Sequence, residues 1–445
     1  MKINIKYISL LFLAGFASLA QALELNVAPG GLKNALDGIG SEKNLKISGV
    51  IDARDFQALK NIPGEVVSLD LSALTVKETS LGVAFEEEKS TYAYGELPSY
   101  LFFQSRLQEI ILPDCVTFVP EGCFASSSVR KVSVGKECKT AGRYSFSDCS
   151  YLSEVSLPSG LKSIEEGAFR NCKSLSQLAI PSGVALEGAE IFKGSGIESL
   201  DLSGVVKMAD FSVANANYLS SVKANPVAET GEGVFMSDHL LSELDGSPSD
   251  IPALYAADAR NLKPNEIIGN SSSIGEYAFA NLKITNITLY PGVESIAKGA
   301  FADCRFLQSI DANAAGSYIP VVSENAFDGI EPSNIDLYVT ALSFDAWKNH
   351  PVWGEFNVIA GESGVDSPEE TFNTLVIDVT KDGIAISGSS DVIAYIVAGI
   401  DGIILSSGNV YGGKGLVVMP DRKGSPVIIK ASDGKSEKEL TVLLP

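Results

Sequence analysis

Apolar residues return along this chain in a frame of about 22 positions, and the frame repeats eleven times between Leu97 and about Ile335. One copy, "SIEEGAFRNCKSLSQLAIP", runs from Ser163 to Pro181. In it Ile164 stands five residues before Phe169, Leu175 six after it, and Leu178 and Ile180 alternate with polar neighbours. The anchor position is taken in turn by Phe102, Phe124, Phe146, Phe169, Phe192, Val213, Phe235, Ala256, Phe279, Phe301 and Phe327, at spacings of 21 to 26 residues. A single copy is too short to bury its own apolar face, so the pattern predicts coils stacked into a solenoid. Each Leu-x-x-Ile-x-Leu stretch predicts a strand, with Leu152, Val155 and Leu157 inward and Glu154 and Ser156 outward. Pro113, Pro158, Pro181 and Pro291 follow such stretches and stop them. The anchors are expected in the returning arc, each packed between its counterparts above and below.

The pattern changes at both ends of the array. From Leu23 to Glu96, Leu45-Lys46-Ile47 and Val67-Ser68-Leu69 look like strands 22 residues apart. "GGLKNALDG" and "DARDFQALKN" have helical spacing, with Asp52 as a cap, so residues 23–96 are expected to shield one open end. Leu74 to Gly95 reads as a polar loop holding Tyr92 and Tyr94. Between Asn225 and Asn270 the repeat is weakest, since Ala256 replaces the aromatic, and a bend, insertion or soft spot is expected there. Past Phe327, Phe344, Trp347, Trp353, Phe356 and Ile359 suggest a closing cap ending near residue 360. A Trp347–Trp353 platform for sugars is the alternative. Residues 361–370 read as a polar linker, and seven short β runs over residues 371–445 predict a small antiparallel β-sandwich.

Residues 1–22 have the parts of a cleavable signal peptide: Lys2 and Lys6, an apolar stretch from Ile8 to Ala20, and Ala20-Gln21-Ala22. Export is therefore expected, to the cell surface, the medium or the periplasm, with no membrane span in the mature chain. Removing the signal leaves 32 basic and 55 acidic residues, a formal charge of −23. That field disfavours nucleic acid and anionic lipid as partners. Six cysteines in an exported chain invite disulfides, but Cys149, Cys172 and Cys304 recur three residues after their anchors. Side chains at one repeat position point in parallel, so these three are expected to be buried free thiols. Cys123 precedes its anchor, and a Cys115–Cys138 bridge stays open as a possibility.

Signals for chemistry are sparse. The two histidines, His239 and His350, have no second His and no Cys at metal-ligand spacing. There is no G-x-S-x-G elbow, P-loop or G-x-G-x-x-G, and "DVTKDG" (Asp378 to Gly383) is too sparse for calcium. Glu109, Glu154, Glu198 and Glu243 are expected to form a solvated row on the strand face, and Glu86-Glu87-Glu88 a solvated loop. No catalytic, cofactor-binding or metal-binding residue is assigned, and the chain reads as non-enzymatic with no cofactor. The concave strand face is the default binding surface of such a solenoid. Its outward positions include Glu109, Ile111, Lys131, Ser133, Glu154 and Ser156, then Gln177 and Ala179, Ser199 and Asp201, and Asn286 and Thr288. They are mixed and small, and no hot spot is nominated among them.

The units "IEEGAFRNCKSLSQLAIP", "IGEYAFANLKITNITLYP" and "IAKGAFADCRFLQSI" resemble the BspA-like leucine-rich repeats common in exported proteins of Bacteroidetes. The end segment with Leu337-Tyr338-Val339, Trp347, Trp353 and Phe356 is similar too, although Thr340 stands where that family has Pro and Trp347 where Tyr is usual. The resemblance covers about Leu45 to Ile359 and implies an α/β, mostly β, leucine-rich-repeat solenoid with parallel strands on its concave face. It further implies an extracellular or surface protein that recognises other macromolecules, host or extracellular proteins before glycans. It does not say which.

Overall fold

A computed structural model of the chain describes residues 22–79, 91–269, 271–315 and 318–361, and beyond them seven strands between residues 376 and 443. The chain divides into two compact units, Met1–Ser363 and Gly364–Pro445. The segment read as a signal peptide, the Glu86–Glu88 run and most of the polar linker lie outside the described residues.

The first unit is a succession of stacked coils, numbered 1 to 11 here by their anchors Phe102 to Phe327. In coils 1–3, 5–7 and 9–11 the predicted stretches form strands on one face of the stack, in register coil to coil; the coil 4 stretch around Leu178 and Ile180, expected as a strand, does not form one. Glu109, Lys131 and Glu154 share a rung position, as do the buried Ile110, Val132 and Val155. Parallel pairing is forced, because every coil returns to the same side before the next strand begins. The ladder of this first face is cut in two places. One parallel sheet joins the N-terminal strands to coils 1–3, a second joins coils 5–7, and a third joins coils 9–11 to the strand Asn357–Ala360.

The sequence pattern did not anticipate a second face of parallel strands. Short strands about five residues before the anchors pair through coils 2–7, from Phe118–Val119 to Glu229–Thr230, and again through coils 8–11, from Asp250–Ile251 to Val321–Val322. At two or three residues each, they are too short to show alternation.

The arcs between the faces hold the anchors. Phe102, Phe124, Phe146, Phe169 and Phe192 form a continuous stack, with centroids 5.1 to 6.0 Å apart and planes within 10° of parallel. Val213 interrupts it, and a shorter stack resumes through Phe279, Phe301 and Phe327. In coils 1 to 10 except coil 5, the anchor N–H donates to the carbonyl just before the next anchor, as in Phe146 N to Ala168 O at 2.9 Å; in coil 5 Ile191 N makes that bond, to Ser212 O. That register confirms Ala256 as the anchor of coil 8. The missing ring is supplied by the residue before it, since buried Tyr255 meets Phe235 edge-on at 5.4 Å.

Both ends are closed. Leu45 pairs with Leu69, two residues beyond the expected Val67; alternation keeps the same face inward despite the shift. Asp52 accepts from Arg54 N as the expected cap, and buried Asp55 ties in the first helix by accepting from Gly30 N at 2.7 Å and Leu32 N at 3.0 Å. Tyr92 is core rather than loop, packing edge-on against Phe56 at 5.0 Å, whereas Tyr94 is exposed. At the far end Trp347 and Trp353 are fully buried and touch edge-on at 5.4 Å, and Trp353 meets Phe327 at 5.5 Å. Burial removes both rings from use as a sugar platform. All six cysteines are free, so the Cys115–Cys138 bridge does not form.

The second unit consists of antiparallel strands in two sheets. Val376–Thr380, Gly383–Ser387 and Lys414–Val417 form one, and Ile404–Tyr411, Val392–Gly399, Pro426–Ser432 and Glu437–Leu443 the other.

Candidate interaction surface

Each coil is held in shape by residues that recur at fixed places around its anchor. The residue two after every anchor, from Gln104 to Gly329, has φ between 53° and 77°, which explains the run of Asp, Asn, Ser and Gly there. The next residue points inward. Where it is Cys, its thiol donates to the anchor carbonyl of the coil before: Cys149 to Phe124 O at 2.9 Å, Cys172 to Phe146 O at 3.1 Å, Cys304 to Phe279 O at 3.3 Å. Burial pushes the Cys149 thiol up to about 11 and the Cys304 thiol to about 12, so neither is a nucleophile at neutral pH. Coil 7 has Asp238 at this place. It is fully buried, its Oδ1 accepts from Ala216 N at 2.8 Å, Oδ2 has no partner, and burial holds its carboxyl well above the usual range.

Two residues before the anchors, an aromatic ring in one coil covers a glycine in the next: Tyr100 over Gly122, Tyr144 over Gly167, Phe211 over Gly233 and Tyr277 over Gly299. A Cβ on those glycines would lie 2.1 to 2.3 Å from the covering ring. These pairs leave a trace in the sequence, an aromatic followed one period later by Gly.

With the interior so fixed, the outward side chains of the first face are the candidate interaction surface. Glu109, Lys131 and Glu154 project from adjacent rungs, with Lys131 Nζ 3.3 Å from Glu154. The expected row of carboxylates is thus alternated with a cation. Glu198 is not part of it, because Ser199 takes that rung position. In coils 5–7 the rungs carry Ser199 and Asp201, Ser221 and Lys223, Glu243 and Asp245. The Ser203 hydroxyl and N–H on Asp201, with Lys223 nearby, hold its carboxyl below the usual carboxylate range. These side chains, with Ser242, Lys263 and Asn265, line a groove of about 880 Å³. One end of the groove is made by a change of structure: coil 8 has a helical turn, Asn265–Ile268, in place of the first-face strand. Asn265 spans the gap, its Oδ1 accepting from Thr288 N at 2.9 Å and its Nδ2 donating to Asn286 Oδ1 at 3.2 Å.

The histidines stay outside this surface. His239 is exposed and meets Asp258 O through Nδ1 at 2.9 Å, and His350 Nδ1 accepts from Val352 N at 3.2 Å in the terminal cap. Among the described residues, no group of three or more His, Cys, Asp and Glu is placed to hold a metal ion, and no helix is long and apolar enough to cross a membrane.

Stacked coils of about 22 residues, a parallel strand face and an inner geometry that recurs from coil to coil define a leucine-rich-repeat solenoid, a class typically built for protein interaction rather than catalysis. The model of the BspA-type leucine-rich repeat region matches residues 95–220, 139–247 and 255–349. The chain belongs to that family. No curated protein matches it. Among solved structures, it is similar to a leucine-rich repeat protein from Bacteroides ovatus, at 16% identity over 76% of this chain and 91% of that one, with a TM-score of 0.44. The pneumococcal vaccine antigen PcpA matches at 14% identity over 77% and 84%, TM-score 0.36. A leucine-rich cell surface protein from Faecalibacterium prausnitzii matches at 16% identity over 77% and 86%, TM-score 0.29.

Proposed function

We propose that this is an exported, non-enzymatic recognition protein that binds another protein at or beyond the cell surface, in an adhesive role, through the first strand face of its solenoid. The observation carrying this is the face itself. In coils 1–3, 5–7 and 9–11 it presents mostly polar and charged side chains on strands hydrogen-bonded rung to rung. Such a surface is preorganised, so little ordering cost opposes binding. Export is supported by Lys2, Lys6, the apolar Ile8–Ala20 stretch and Ala20-Gln21-Ala22.

The division that goes with this reading is a signal peptide over 1–22, a cap over 23–96, the recognition solenoid over 97–360, a linker over 361–370 and a β-sandwich over 371–445. Two separate antiparallel sheets support the sandwich. The test is binding of the exported chain, and of a variant carrying Lys131→Glu and Ser133→Arg, to immobilised extracellular proteins. Protein ligands lost in the variant while its circular dichroism is unchanged would support the reading. Ligands captured equally by both would move the site off these coils.

A further inference from the structure

Two kinds of donor reach the anchor carbonyls of this stack. One is the amide three residues on in the same coil, as in Ser127 N to Phe124 O at 3.0 Å and Ser195 N to Phe192 O at 3.0 Å. The other is the thiol of the following coil, as in Cys149 to Phe124 O at 2.9 Å and Cys172 to Phe146 O at 3.1 Å. Val213, the anchor of coil 6, has neither. The amide placed to serve it, Ala216 N, donates instead to Asp238 Oδ1 at 2.8 Å. Among the described residues nothing donates to Val213 O, although Val213 is fully buried. A buried carbonyl without a donor is costly, so one is expected close by.

Asp238 stands in coil 7 where Cys149 and Cys172 stand in theirs, and from that place a side chain reaches the carbonyl of the preceding anchor. Its Oδ2 is buried and has no partner. An ionised carboxylate can only accept, and would leave both Oδ2 and Val213 O bare. A protonated carboxyl has one O–H to give, and satisfies both with a single bond. The packing around Asp238 does not favour its charge. The equivalent residues of coils 6 and 8, Ala216 and Ala259, are buried and apolar. Tyr255 of coil 8 is buried against Phe235, and burial raises its hydroxyl as well. His239 and Arg260 are exposed, Asp258 is 3.3 Å from Arg260, and Asp210 of coil 6 accepts from Glu232 N at 2.9 Å. Burial outweighs the two N–H groups, of Ala216 and Asn215, that favour the carboxylate.

The place of this group in the fold gives it leverage. Glu243–Asp245 and Glu229–Thr230, the strands of coil 7, are each the last of their sheet. The arc of coil 7 is therefore what carries main-chain bonding on into coil 8, through Phe235 N to Tyr255 O and Ser237 N to Ala257 O. Asp238 ties that same arc back to coil 6.

We propose that Asp238 is a proton-operated latch: as a carboxylic acid it donates Oδ2–H to Val213 O and pins the arc of coil 7 to coil 6, and on losing the proton it releases that arc and loosens the joint to coil 8. The folded chain holds this proton more tightly than the unfolded chain does, so the latch is closed in acid and opens as pH rises through the folded value.

Infrared difference spectra of the full chain against Asp238→Asn test the proton directly. At about pH 6, where exposed carboxyls are ionised, the unaltered chain should show a protonated-carboxyl band that the variant lacks. Hydrogen exchange read by mass spectrometry tests the latch, in peptides covering Val213–Ala216 and Phe235–Leu241. Between about pH 5 and about pH 9 their protection, corrected for the intrinsic rate, should fall by about tenfold or more in the unaltered chain and by less than about twofold in Asp238→Asn and Asp238→Cys. The second of these variants installs the thiol of coils 3, 4 and 10, and the Phe124–Ser127 peptide of coil 2 should hold its protection throughout. Absence of the carboxyl band, protection in coil 7 that is indifferent to pH, or the same loss in all three chains would overturn the inference.

Discussion

A single inward position, three residues past each anchor, shows how one repeat tolerates different chemistry. Cysteine fits because it is small, apolar and a weak donor to the carbonyl above it. In the native state, the buried thiols Cys123, Cys138, Cys149, Cys172 and Cys304 should therefore resist a thiol reagent, and all six cysteines should react once denaturant is added. A sixth of the label missing per bridged residue, or a mass two units low, would show a disulfide. Asp238 fits the same place badly. Its folded pKa is raised by burial, so the folded state holds the proton more tightly than the unfolded chain. The associated stability is full below the unfolded value and is lost as pH rises through the folded one. Asp238→Asn should accordingly stabilise the chain by about 1–3 kcal/mol at pH 7, with the gain shrinking toward acid. Thermal melts at several pH values would check this; a gain independent of pH would contradict it. The buried thiols were legible from the repeat alone, because position within a period fixes direction. The Asp238 penalty was not, since the sequence does not show how deeply that position is sealed.

At the scale of elements, the coils depend on one another through the arcs. Phe146 lies between two parallel rings, so Phe146→Ala should cost about 3–5 kcal/mol in chemical denaturation. Gly167 has φ +60° and sits under Tyr144. Gly167→Ala should destabilise by roughly 1–3 kcal/mol, and Tyr144→Ala in the same chain should recover the steric part but not the backbone part. Absence of any recovery would mean that the ring yields freely. The step from coil 7 to coil 8 is a joint of a different kind. Both strand ladders stop there, and the arc continues alone through Gly233 N to Ala253 O at 2.9 Å, Phe235 N to Tyr255 O at 2.9 Å and Ser237 N to Ala257 O at 2.8 Å. Amides of Ser242 to Gly246 should exchange with solvent faster than their counterparts in coils 2 and 3. Equal protection would show that the gap is sealed by other means. The soft spot was readable from Ala256 and the loop-like Ser247–Pro252. Its depth was not, because the second-face strands that also end there are too short to leave a periodic trace.

For the molecule as a whole, the repeat dictates a rigid core and leaves the outward positions free to vary. That division explains why the fold was legible from Leu45 to Ile359 while the ligand was not: inward residues obey a period, and outward residues answer to a partner absent from the chain. The tryptophans illustrate the same limit in reverse, since a cap and a sugar platform need the same residues and differ only in burial. The central claim is protein recognition by the first strand face. Its most direct test is to screen the purified chain against parallel arrays of extracellular proteins and polysaccharides, beside a chain whose outward residues in coils 1–3 and 5–7 are altered. The account predicts protein hits that disappear in the altered chain while its melting temperature holds. Hits confined to polysaccharides, or protein hits that persist when the face is changed, would contradict it.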